Sequence, residues 1–159
     1  MTIWIGFTNQ KLYQARLLLG QASSCDAPVL ASALRDSALL HMQFAWRSYL
    51  NEMGAATRLK TEVSSLDELV AATGLVTGEM REWQNLQHDA FSWFNAFQNA
   101  AERIGWPEKP SVVKESAGAH AVNLIALASA DDSGPDDLSG WWQKLSALID
   151  AQRQNRQES

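Results

Sequence analysis

The stretch RDSALLHMQFAWRSYL, residues 35–50, decides the fold, because its apolar residues recur with the period of an α-helix. It lies within a helix predicted from about Ala27 to Met53, with Asp26 as N-cap and Gly54 at the end. The apolar arc of this helix is so broad that the helix must be central, or covered by a second partner. The arc comprises Leu34, Ala38, Leu39, Met42, Ala45, Trp46, Tyr49, Leu50 and Met53.

Helical periodicity recurs in four further segments. A first helix is predicted after an N-cap at Thr8, and a short one at the capping box formed by Ser65 and Glu68. A long helix is predicted from a cap at Thr77 to Ile104, and the last helix covers residues 138–154. These patterns predict an all-α fold, an antiparallel up-and-down helical bundle of about four main helices plus short helices.

The length of 159 residues corresponds to one domain that buries a core without disulfides or metal. We therefore expect residues 1–159 to form a single helical-bundle domain, whose polar tail frays from about residue 153. The conformations of residues 1–7 and 105–130 stay open, because AVNLIALAS could be extended or helical.

Net charge and hydropathy restrict the class of protein. A net charge of −5 argues against DNA binding and disfavours RNA, since nucleic-acid-binding domains carry a basic field. The N-terminus lacks the pattern of a signal peptide, and no apolar run is long enough to span a bilayer. Cys25 is the only cysteine, so no internal disulfide is expected. We expect a cytoplasmic protein without membrane association.

The candidates for catalysis are Arg35, Asp36 and His41. On a straight helix, Arg35 and His41 diverge by about 120° and lie about 9 Å apart along the axis. Side chains so placed do not act together without a kink, so we expect a half-buried Arg35 paired with a carboxylate or carbonyl and a hydrogen-bonded His41. His88 falls on a polar face and His120 in an irregular segment, which leaves no metal-binding spacing; neither metal nor cofactor is expected.

Several apolar side chains fall where the core does not need them. Leu40 and Phe44 lie outside the main arc of the second helix. Trp141 and Trp142 are adjacent and diverge by about 100°, so one of them is free for a subunit interface. These four residues are the candidates for an interface or a ligand, and they favour a homodimer, another protein partner or a small apolar ligand.

Three segments resemble a family of small gammaproteobacterial helical proteins described as a domain of unknown function. They are TNQKLYQARLLL (8–19), ALRDSALLHM (33–42) and LSALIDAQR (145–153). This resemblance implies a bacterial, cytoplasmic, all-helical protein and carries no activity.

The rhythm of ASALRDSALLHMQFAWRSYL (31–50) also resembles the early helices of HEPN-type four-helix bundles. Many of those proteins are ribonucleases whose motif is an arginine, a polar residue, a few further residues and a histidine. Arg35, Asp36 and His41 fit this motif. That motif usually sits near the start of a terminal helix, whereas here it lies inside the second helix.

The sequence thus favours a non-enzymatic interaction module that contacts a protein or a small ligand. The alternatives are a HEPN-like metal-independent ribonuclease and a binder of apolar small molecules in a groove lined by Trp and Phe.

Overall fold

The computed structural model describes residues 3–107 and 135–159, and every regular element in these ranges is an α-helix. The predicted all-α class is therefore confirmed for this part of the chain. His120, the stretch AVNLIALAS and most of the segment 105–130 lie outside the described residues. The helices are α1 (Ile3–Ser23), α2 (Pro28–Ala56), α3 (Leu66–Thr73), α4 (Gly78–His88), α5 (Trp93–Arg103) and α6 (Pro135–Glu158).

Contacts between the helices establish an up-and-down arrangement. The short connection 24–27 makes α1 and α2 an antiparallel hairpin. Trp142 Nε1 donates to the carbonyl of Leu12 at 2.8 Å and Arg153 Nη1 to Asn9 Oδ1 at 2.8 Å, so α6 runs antiparallel to α1. The third leg is α4 followed by α5. Helix α4 runs antiparallel to α6, since Glu82 pairs with Gln152 and Glu79 with Arg156. Helix α5 runs antiparallel to α2, since Gln43 pairs with Gln98 and Trp46 with Phe94.

Helix α1 begins earlier than predicted. It starts at Ile3, and Thr8, predicted as its N-cap, is fully buried inside it. Thr8 Oγ1 lies 2.9 Å from the carbonyl of Trp4 and 2.8 Å from Ser48 Oγ on α2. The contact with the Trp4 carbonyl, four residues back, is common for Thr inside a helix. The contact with Ser48 connects α1 to α2 and so stabilises the hairpin.

The ends of α2 also differ from the prediction. Ala27, and not Asp26, is the N-cap, and it makes no side-chain capping bond. Pro28 opens the helix, where its missing N–H costs nothing. Gly54, predicted as the terminator, is inside α2, which ends at Ala56. A Cβ on Gly54 would meet Leu59 Cδ2 at 3.3 Å, so this glycine serves close packing instead of termination.

The predicted N-caps at Ser65 and Thr77 are confirmed. Ser65 Oγ accepts from the backbone N–H of Glu68 at 3.1 Å, and Glu68 Oε2 accepts from the backbone N–H of Ser64 at 2.7 Å. Gly74 ends α3 in the left-handed conformation, with φ of 66°. Thr77 caps α4 by accepting from the N–H of Met80 at 3.2 Å.

The prediction of one continuous helix from Thr77 to Ile104 is wrong, because the chain breaks between α4 and α5. Asp89 Oδ1 accepts from the N–H of Phe91 at 2.9 Å, which forms a local turn. Ser92 then caps α5 by accepting from the N–H of Asn95 at 3.0 Å. Asp89 and Ser92 supply the bonds of this break. Phe91 lies within it and is 99% exposed, whereas Phe94 in the first turn of α5 is fully buried.

An aromatic cluster forms the centre of the bundle. The ring centroids of Trp46 and Trp83 are 4.6 Å apart, and those of Trp83 and Phe94 are 5.1 Å apart. Tilted and edge-on arrangements of this kind add to the burial of apolar area. Phe97 and Tyr49 complete the cluster, and neither is accessible to solvent.

The C-terminal segment, which we expected to fray from about residue 153, continues α6 as far as Glu158. Arg153 and Arg156 on this segment form ion pairs with Glu52 and Glu79. The polar residues that made the tail look solvated are thus tied to α2 and α4.

Candidate interaction surface

The face of α2 that points away from the core carries a line of four exposed residues, which we call the outer strip: Asp36, Leu40, Phe44 and Arg47. Spacings of four, four and three residues place them one above another on a helix. Leu40 is 38% and Phe44 37% exposed, large values for apolar side chains in the middle of a long helix. An apolar pair bracketed by opposite charges thus lies on the surface.

One flank of α1 borders the outer strip. The ammonium of Lys11 lies 5.1 Å from the ring centroid of Phe7 and 5.9 Å from that of Phe44. A cation at this distance is attracted by both ring faces. Phe7 is itself 42% exposed, so the two rings and Lys11 extend the apolar surface from α2 onto α1.

Beside this aromatic pair lies a groove of about 450 Å³. Its lining joins the N-terminal part of α1, the C-terminal half of α2, the loop before α3 and the first turn of α3, and it combines aromatic with charged side chains. The residues are Trp4, Phe7, Phe44, Arg47, Ser48, Asn51, Glu62, Val63, Ser64 and Glu68. Asn51 fixes one wall, because its side chain accepts from the N–H of Val63 and donates to the carbonyl of Val63, both at 2.9 Å.

Arg35 and His41 are not brought together by a hydrogen bond. His41 Nδ1 lies 2.7 Å from the carbonyl of Ser37, one turn back on its own helix, and the ring packs edge-on against Phe44. Arg35 is half-buried on another side of α2, and its side chain makes no hydrogen bond or ion pair to any other described residue. Asp36 is exposed and belongs to the outer strip.

Both Trp141 and Trp142 are half-buried and pack against the core. Trp141 approaches Phe97 with ring centroids 6.5 Å apart. Trp142 donates to the carbonyl of Leu12, and the guanidinium of Arg16 lies 6.0 Å from its ring. The two indoles thus fill the grooves that separate α6 from α5 and from α1.

A buried polar cluster, which the helical periodicity does not predict, joins α2, α4 and α6. Gln152 is its centre: Oε1 accepts from Tyr49 Oη at 2.7 Å and from Trp83 Nε1 at 2.8 Å. Its amide nitrogen donates to Glu82 Oε2 at 2.7 Å. Gln152 lies one turn before Arg156 on α6. Its place on the apolar stripe of Leu145 and Ile149 is the feature of the sequence that indicates a buried polar side chain.

Two ion pairs flank Gln152. Arg153 binds Glu52 through two parallel bonds, Nε to Oε2 at 3.0 Å and Nη2 to Oε1 at 2.6 Å. Arg156 donates from Nε to Glu79 Oε1 at 2.8 Å and from Nη2 to Tyr49 Oη at 2.9 Å. Glu52 lies within the apolar part of α2, so its position beside Met53 could have indicated a buried partner.

Burial governs ionisation in this cluster. Burial raises the pKa of Tyr49 far above its ordinary value, although the charge of Arg156 works in the opposite direction. Burial likewise raises the pKa of Glu79, and the adjacent guanidinium offsets only part of that effect. The Tyr49 hydroxyl therefore remains a donor at neutral pH, which matches its bond to Gln152.

An open cleft of about 460 Å³ adjoins the polar cluster, and Glu79, Glu82, Gln152 and Arg156 line it together with Met53 and others. The polar groups on its wall largely bond one another, so they hold α6 in place.

Within residues 3–107 and 135–159, no group of three or more His, Cys, Asp or Glu side chains is arranged to hold a metal ion. No helix in these ranges is long and apolar enough to cross a membrane.

The described residues form an all-helical bundle. It has an exposed apolar strip on α2 and a polar cluster that joins α2, α4 and α6. Residues 1–159 match the model of a family described as "Family of unknown function (DUF6586)", and the chain belongs to this family. No curated protein and no solved structure matches the chain.

Proposed function

We propose that this protein is a non-enzymatic interaction module of the cytoplasm, which binds a protein partner through the outer strip. The observation that carries the proposal is the exposure of Leu40 and Phe44 on the side of α2 opposite the core. Contiguous apolar side chains on a surface, bordered by polar ones, are typical of binding sites.

The composition of the surface supports a protein partner. Phe44 and Phe7 supply flat apolar area, while Lys11 and Arg47 supply charged groups at the edge. Protein interfaces combine an aromatic centre with a polar rim in this way. The apolar groups of the two clefts are interleaved with charged side chains, which is less suited to a small apolar ligand.

Site-specific photocrosslinking in the protein's native cells tests the proposal. A benzophenone amino acid at Leu40 should form adducts with protein, and a matched probe at Tyr13 should form few. Tyr13 is an exposed apolar residue of α1 that lies about 120° around the helix from Phe7. Phe44→Glu should abolish the adducts at position 40 while leaving the thermal melt nearly unchanged.

Adducts at position 40 no more abundant than at position 13, or insensitive to Phe44→Glu, would contradict the proposal. The purified variants are first compared by circular dichroism, so that loss of adducts is not attributed to loss of fold. A variant such as Tyr13→Glu provides the matched control for an added carboxylate.

A further inference from the structure

The order of residues along the outer strip is self-complementary. From one end to the other it is Asp36, Leu40, Phe44 and Arg47, which is a negative charge, two apolar side chains and a positive charge. All four are exposed. Among the described residues neither Asp36 nor Arg47 forms an ion pair, so both charges lack an opposite partner within the described fold.

We infer that the outer strip binds the outer strip of a second copy of this chain, with the two α2 helices antiparallel about a two-fold axis. This inference rests on the proposed function and names its partner. When Leu40 of one copy faces Phe44 of the other, Asp36 faces position 48 of the second copy, which is next to Arg47. A two-fold axis repeats each pairing, so both charges of both copies find opposite charges.

The size of the surface agrees with a dimer. Helix α2 has 29 residues, which corresponds to a length of about 44 Å. Together with α1, whose axis lies about 8–10 Å away, the hairpin presents a face about 20 Å wide. Contact over the whole hairpin face would cover roughly 900 Å², comparable to the ~800 Å² per partner of a standard interface, with the outer strip, about 17 Å of α2, at its centre.

The flank of α1 completes the interface. The ammonium of Lys11, 5.1 Å from the ring centroid of Phe7 and 5.9 Å from that of Phe44, lies at the rim of the strip. On the other flank, Gln43 bonds Gln98 of α5 with amide contacts of 3.0 and 3.4 Å. This pair closes the surface between α2 and α5, so the centre of the interface is the apolar pair on α2.

A charge-exchange cycle measured by analytical ultracentrifugation tests the inference. Asp36→Arg and Arg47→Asp should each raise the dimer dissociation constant at least about tenfold, because a single exchange sets two like-charged pairs across the axis. The double variant D36R/R47D should return to within about threefold of the wild type. Glu102→Arg and Arg81→Asp change the same charges at exposed positions of α5 and α4, and should leave the constant unchanged.

Spin labels measure the orientation of the helices. In a Cys25→Ser background, a label at Val29, which is 85% exposed, lies opposite residue 55 of the second copy. The two labels are then separated along α2 by 26 residues, or about 39 Å. A parallel pairing would bring them to about 10–20 Å.

Three results would overturn the inference: a wild-type monomer at about 100 µM, a double variant no tighter than the single ones, or a label distance that fits the parallel pairing. Crosslinks from position 40 to a different protein, with the purified chain monomeric, would leave the proposed function standing and reject the second copy as partner.

Discussion

The hydroxyl of Tyr49 on α2 donates a 2.7 Å hydrogen bond to Oε1 of Gln152 on α6, across 103 residues of sequence and without contact with solvent at Tyr49. The same oxygen accepts from Trp83 on α4. One amide side chain thereby joins three legs of the bundle, and it does so inside an otherwise aromatic core.

We expect Gln152→Leu to destabilise the fold by about 2–4 kcal/mol. The substitution keeps the approximate volume but leaves the donors of Tyr49 and Trp83 buried without an acceptor, at about 1–3 kcal/mol each. The free energy of unfolding from urea titration measures the effect. Gln154→Leu, at an exposed position two residues further on, is the matched control. Equal stability of the two variants would contradict the role given to Gln152.

Phe94 and Phe91 form a matched pair for testing the core. Phe94 is fully buried in the aromatic cluster, whereas Phe91 is 99% exposed in the break before α5. Phe94→Ala should lower the free energy of unfolding by about 3–5 kcal/mol, because it leaves a cavity. Phe91→Ala should change it by less than about 0.5 kcal/mol. A loss below about 1 kcal/mol for Phe94→Ala would refute its assignment to the core.

The carboxyls of Glu79 and Glu68 should affect stability with opposite dependence on pH. Burial raises the pKa of Glu79, so its contribution is fully present below the ordinary pKa and is lost as pH rises through the folded value. Bonds from Ser64 lower the pKa of Glu68, so its contribution is present above the ordinary pKa and is lost as pH falls.

Unfolding measured from pH 3 to pH 7 distinguishes the two carboxyls. Relative to the wild type, Glu79→Gln should become more stable as pH rises, since the amide accepts from Arg156 without the cost of burying a charge. Glu68→Gln should become less stable over the same range. Parallel pH profiles for the two variants would show that the local environments described for these groups do not control their ionisation.

For His41, we expect a structural role. His41→Ala removes the bond to the carbonyl of Ser37 and the contact with Phe44, and should cost roughly 1 kcal/mol of stability. We expect no ribonuclease activity that depends on this side chain. His88→Ala, at an exposed position, is the control in both assays. Metal-independent RNA cleavage by the wild type that disappears in a folded His41→Ala protein would reverse this interpretation.

Local signals in the sequence predicted much of the fold. The helical period around residues 35–50 predicted that α2 is central or covered by a second partner, and Leu39, Met42 and Trp46 are buried as expected. Ser65 and Thr77 are N-caps as their positions in the sequence predicted, because a cap is completed by residues within one turn of it. Leu40 and Phe44 were recognised as lying outside the core for the same reason: the angle around a helix follows from spacing alone.

Tertiary structure decided what depends on residues distant in sequence. Thr8 has the chemistry of an N-cap, yet Ser48 from α2 holds it inside α1. Arg156 looks solvated in a polar tail, and Gln152 is a polar residue of the last helix whose partners the sequence does not indicate; only the approach of α2 and α4 supplies those partners. Spacing fixes which face of a helix a side chain occupies, whereas the hydrogen-bond and charge partners of that face are fixed by the packing of other helices against it.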